Sequence, residues 1–128
     1  MTVPTRCILI DDNEADNVFH EIMIRRAGFT GELLVFEAAG DALLFLQQDA
    51  LTAHTWIFLD INMPVMDGFE FTREATPLLL DKPTVVLMML TSSDAPQDRM
   101  LANKMPLIKD FITKPLTVDK VRDLLTKG

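Results

Sequence analysis

Four short apolar runs, Cys7 to Ile10, Leu33 to Phe36, Trp56 to Leu59 and Val85 to Leu90, divide the chain, and Leu107 to Ile112, apolar but for Lys109 and Asp110, reads as a fifth strand. A brief apolar run with no polar alternation is the pattern of a strand covered on both faces, as strands of parallel sheets are. Between the runs, apolar residues return every three or four positions, the period of a helix packed on one side. Strands and helices that alternate every roughly twenty to thirty residues require right-handed βαβ crossovers. The pattern therefore predicts an open α/β sandwich, a five-stranded parallel sheet with helices on both faces.

Caps and breakers mark the helices. The first is expected over Glu14 to Ala27, with Asp11 to Asn13 offering caps and Gly28 a stop. Ala15, Val18, Phe19, Ile22 and Met23 keep helical spacing there and make it amphipathic. Asp41 can cap a second helix carrying Leu43, Leu44 and Leu46, which fades at Gln47 and Gln48. The third runs from Phe69 to Leu80, where Pro77 should end or kink it. A fourth spans Pro96 to about Lys104, and Thr117 caps a last one bearing Val118, Val121, Leu124 and Leu125.

The 128 residues are expected to form one domain, 1–128, with no second repeat, linker or output domain among them, either a protein that acts by docking to a partner or a piece of a longer one. No apolar run approaches the ~18 residues that cross a bilayer, and Met1 to Arg6 contains no secretory apolar segment. The single cysteine, Cys7, cannot form an internal disulfide and reads as a core residue, which suits the reducing cytoplasm. The formal charge is 12 − 19 = −7, so direct nucleic-acid binding, which needs clustered Lys and Arg, is not expected.

Ligands of such sheets bind outside the carboxyl ends of the strands, and several polar residues fall there. Asp11 and Asp12 follow the first strand, Asp60 the third, Thr91 the fourth and Lys114 the fifth. Each alone reads as a turn or cap residue; together they converge on one edge. Clustered carboxylates raise one another's pKa unless a cation neutralises them. Mg2+ suits them, because it prefers oxygen ligands and takes one or two carboxylates plus a phosphate oxygen. A lysine can pair with Asp60 and then with an incoming phosphoryl group, and a threonine hydroxyl can donate to another oxygen. The constellation is that of phosphoryl transfer with a carboxylate nucleophile.

With Asp11-Asp12, Asp60-Ile61-Asn62-Met63-Pro64, Met66-Asp67-Gly68, Leu90-Thr91-Ser92 and Lys114-Pro115 in place, the chain resembles the receiver domains of two-component response regulators along nearly all its length, in the stand-alone form. The resemblance implies a flavodoxin-like sheet of order 2-1-3-4-5 and a signalling protein, not a metabolic enzyme, that catalyses only its own phosphorylation and dephosphorylation. Asp60 would accept the phosphoryl group from a sensor histidine kinase or histidine phosphotransfer protein. Asp11, Asp12, Asp60 and the backbone carbonyl of Asn62 would hold Mg2+, and Lys114 and Thr91 would bind the phosphoryl group. Thr91 and Phe111 would form the switch that remodels the helix 4, strand 5 and helix 5 surface for a downstream protein partner. The Lys114-Pro115 bond would be cis.

Phe111 stands where the family often has tyrosine, and the Ser93 to Lys109 stretch carries Pro96 and Pro106 in place of the glycine often found before strand five. A magnesium-dependent phosphatase would carry an acid/base carboxylate two residues after the nucleophile, where this chain has Asn62. A phosphorylation-independent scaffold would be expected to lack one of Asp60, Thr91 or Lys114. His20 lacks the four-helix context of a phosphotransfer histidine and reads as a surface helical residue; His54 reads as a loop residue.

Overall fold

The computed structural model describes residues 3–127. Five strands alternate with five helices: β1 (Arg6–Ile10), α1 (Glu14–Arg26), β2 (Glu32–Phe36), α2 (Ala39–Gln48), β3 (Thr55–Leu59), α3 (Gly68–Leu79), β4 (Val85–Thr91), α4 (Pro96–Asn103), β5 (Ile108–Thr113) and α5 (Val118–Lys127). The strands pair in parallel in the order β2-β1-β3-β4-β5, so the winding reverses between β1 and β3.

Both faces of the sheet are covered. One core joins Ile8, Ile10, Ile57, Leu59, Leu87 and Met89 to residues of α2 and α3, among them Leu46, Phe71 and Leu79. The other joins Cys7, Leu9, Trp56, Phe58, Met88 and Leu90 to Ile24 of α1 and Val121 and Leu124 of α5. Adjacent strand residues point to opposite faces, so β1, β3 and β4 supply both cores from uninterrupted apolar runs. Burial pushes the Cys7 thiol up to about 12, with Arg25 pulling weakly the other way. Met88 and Met89 are fully buried packing residues.

Several boundaries and faces differ from the sequence expectation. α2 starts at Ala39 without a side-chain cap, and Asp41 lies in its first turn. α3 continues through Pro77 to Leu79, and Leu80 N–H still donates to the Thr76 carbonyl. A proline so near the C-terminus removes a single hydrogen bond and leaves little helix to redirect. β5 spans Ile108–Thr113, one residue later at each end than the expected Leu107 to Ile112. The largest departure is in α1, where Val18, Phe19 and Ile22 are exposed while Asn17, His20 and Ile24 are buried. His20 is therefore a buried residue, 2% exposed, and not a surface one.

Candidate functional site

Register brings the polar residues together. Ile10 pairs with Leu59 and Leu59 with Met89, so Asp11 and Asp60 leave the sheet side by side; the Asp60 N–H donates to the Ile10 carbonyl at 2.9 Å. Thr91 pairs with Thr113, which places Lys114 directly beyond it, and the Lys114 N–H donates to the Thr91 carbonyl at 2.8 Å. The Lys114-Pro115 peptide is cis, as the resemblance implied.

Local chain chemistry fixes the flanking loops. Asn13 caps α1 by accepting from the Asp16 N–H at 3.0 Å, and its own N–H donates to Asp11 Oδ1 at 2.9 Å. One carboxylate oxygen of Asp11 is thus held by the turn and the other is left for the site. After β3, Asp67 and Glu70 form a reciprocal capping box at the start of α3. A side chain at Gly68 would collide with the Asp60 carbonyl oxygen, so only glycine lets α3 begin this close to the end of β3.

Asp11 and Asp60 are 5% and 6% exposed, whereas Asp12 is open to solvent. Each of the three offers a carboxylate oxygen, and the oxygens lie within 4.8 Å of one another. Lys114 Nζ donates to Asp11 Oδ2 at 2.6 Å and to Asp16 Oδ2 at 2.8 Å, and lies 3.7 Å from Asp60 Oδ1. Burial, and then the charge of Asp11, push the Asp60 carboxyl above the ordinary carboxylate range; Lys114, Thr91 and the Ile61 N–H pull it back in part. For Lys114, burial opposes the charge, but the hydrogen bonds to Asp11 and Asp16 outweigh it and hold the amine above its usual value. A carboxylate cluster that burial and mutual repulsion render costly, built of hard oxygen donors, fits a hard divalent cation.

The fully buried Thr91 accepts from the Ser93 N–H at 3.2 Å through its hydroxyl. Phe111 is opposite Met89 on the ladder, one pleat repeat from the Thr91–Thr113 pair and on the same face. Its half-buried ring lies 4.5 Å beneath the Arg99 guanidinium of α4.

The full-length match of this fold and edge decides the family: the response regulator receiver domain model covers residues 7–126. The chain belongs to that family. It is 29% identical over 122 residues to the two-component response regulator ORR41 of Oryza sativa subsp. japonica, covering 95% of this chain and 92% of that protein. It is also 29% identical over 114 residues to the sensory transduction protein BceR of Bacillus subtilis (strain 168), covering 89% of this chain but only 45% of that one. The crystal structure of a response regulator receiver protein from Dyadobacter fermentans superposes with a TM-score of 0.85 at 28% identity, covering 95% of each chain. Receiver domains are phospho-accepting signalling modules of two-component systems, and this chain is one of them. No described helix is long and apolar enough to cross a membrane.

Sequence reasoning brought Asp11, Asp12, Asp60, Thr91 and Lys114 to this edge but missed Asp16 and the buried pair Asn17 and His20. Asn17 Nδ2 donates to the Asp11 carbonyl at 2.8 Å. The signal was present: in a helix starting at Glu14 just beyond Asp11, first-turn side chains stand beside the edge.

Proposed function

We propose that Asp60 is the phosphoacceptor and that Asp11, Asp12, Asp60 and the Asn62 carbonyl hold Mg2+. The observation that carries this reading is the Lys114 ammonium, 2.6 Å from Asp11 and 3.7 Å from Asp60 at the carboxyl edge of the sheet. When bound, Mg2+ supplies positive charge to the cluster and to the phosphoryl oxygens. An Asp60 carboxylate oxygen attacks phosphorus; the P–N bond of a phosphohistidine donor breaks, and its electron pair returns to the imidazole, which takes up a proton. Lys114 and the Thr91 hydroxyl donate to the phosphoryl oxygens on Asp60. The same residues serve self-phosphorylation from small phosphodonors and the later hydrolysis.

The donor is a sensor histidine kinase or a histidine phosphotransfer protein. It must cover the edge beside α1, whose exposed Val18, Phe19 and Ile22 supply apolar contact surface next to the acidic pocket. Phosphorylation adds about −1.5 to −2 charges and three strong acceptors. These draw Thr91 inward, the Phe111 ring moves into the vacated space and leaves Arg99, and the surface of α4, β5 and α5 changes for a downstream protein partner.

Intact mass after incubation with Mg2+ and acetyl phosphate should rise by a single phosphate, and Asp60→Asn should abolish the gain. Amide shifts of the labelled wild type should extend from the Asp60 loops through residues 91–125. Labelling of Asp60→Asn at the wild-type level overturns the phosphoacceptor assignment, and shifts confined to the Asp60 loops overturn the switch.

A further inference from the structure

Asp16 is the carboxylate at this edge to which the phospho-accepting chemistry gives no part. It lies in the first turn of α1 and outside the oxygen cluster of Asp11, Asp12 and Asp60, yet Lys114 donates to it at 2.8 Å while standing 3.7 Å from Asp60. An ammonium has three donors, and Asp11 and Asp16 occupy two of them. We propose that Asp16 is a positioning residue that tethers Lys114 toward α1 in the resting protein and so opposes phosphoryl capture on Asp60, an inference that rests on the phospho-accepting reading above.

The two anchors of Lys114 differ in what a cation does to them. A cation in the cluster draws on the Asp11 carboxylate and weakens its hold on the lysine. Asp16, outside the cluster, keeps its hold, so it is the anchor that Lys114 must yield to serve a phosphoryl group. Its charge acts in the same direction, because it adds a negative group beside the place where an anionic phosphoryl arrives.

The competing account is that Asp16 only complements the positive end of the helix dipole. Glu14 shares that first turn and helix end, and it forms no ion pair among the described residues. It is therefore the proper control.

The Asp16 side chain is 39% exposed, so water screens the pair and the expected effect is about two- to fivefold. The test is a beryllofluoride titration of the full chain at saturating Mg2+, followed by the Asp60 and Thr91 amide shifts. Asp16→Ala and Asp16→Asn should both lower the dissociation constant by that factor, the Asn variant guarding against any loss of helix start. Glu14→Ala should leave it unchanged. Equal or weaker binding in both Asp16 variants overturns the tether, as does an equal gain in Glu14→Ala. A wild type that binds no beryllofluoride overturns the phospho-accepting reading, and the tether with it.

Discussion

Helices α1 and α5 pack side by side on the same face of the sheet and contribute to the same core, through Ile24 from one and Val121 and Leu124 from the other. Their sequences carry similar three- and four-residue apolar spacing. In α5 that spacing marks the buried face. In α1 it marks the exposed one: Val18, Phe19 and Ile22 face outward, and the underside is Asn17, His20 and Ile24. A helix that begins beside a carboxylate edge presents its first turns to polar neighbours, such as Asp11 and Lys114, and its apolar residues are free for another surface. Period alone therefore reports a stripe, and the neighbours decide which way it faces.

Truncation in the two helices should expose the difference most strongly. Leu124 is 3% exposed, so Leu124→Ala should cost about 2–5 kcal/mol through lost transfer energy and the cavity left behind. Val18 is 54% exposed, and Val18→Ala should stay within about 0.5 kcal/mol. Urea denaturation at fixed Mg2+ compares them directly. Comparable losses at both positions would mean that α1 packs like α5 in solution.

A smaller effect, about tenfold, is expected from function. If the outer stripe of α1 receives the histidine-bearing donor, Phe19→Ala removes a half-exposed aromatic from that contact, and a contact of that kind is worth upwards of 1 kcal/mol. Transfer from a cognate histidine donor should slow about tenfold, with labelling by acetyl phosphate unchanged. Equal slowing with both donors would place the defect in the site chemistry, and no slowing would remove α1 from the docking surface.

The same contrast explains what was legible in the sequence. β1, β3 and β4 are buried on both faces, so composition alone marked them, and their order set Asp11, Asp60 and Thr91 on one edge. Lys114 followed because β5 ends just before it. Helix faces were harder to read, since Asn17 is buried for a polar reason that lies outside α1, the Asp11 carbonyl it donates to, and His20 is buried beside it on the same underside. A helix starting at Glu14 puts Asp16 beside the edge, but which side chain it meets there, Lys114 at 2.8 Å, is set by packing between α1 and the end of β5. Asp41 and Pro77 mark the helix ends only to within a turn: α2 starts two residues before Asp41 without a side-chain cap, and α3 ends two residues after Pro77.

The smallest effect sharpens the comparison from the polar side, since α5 buries no titratable group in this core and α1 buries His20. Burial and then the charge of Lys114 hold the His20 pKa below its ordinary value, while Asp16 and Asp11 oppose them. The unfolded chain takes up a proton at about pH 6.5, and the folded protein does so only at lower pH. Below about pH 6.5 the unfolded state therefore binds more protons, and stability falls as the pH falls, by no more than about 1.4 kcal/mol per pH unit for one proton. Asp60 works against this trend. Its raised folded pKa means that the folded state protonates first, so its destabilising charge is lost as the pH falls through that value toward the ordinary one of about 3.9. The two contributions overlap in the wild type, and a single pH titration cannot separate them. The difference between wild type and His20→Gln can, because Asp60 is common to both. In metal-free buffer the variant should lose less stability than the wild type between neutral pH and about pH 5.5, the side of the histidine's ordinary value where only the unfolded chain is protonated. Parallel pH profiles would show that His20 takes up its proton in place, and that the underside of α1 is wetter than its 2% exposure implies.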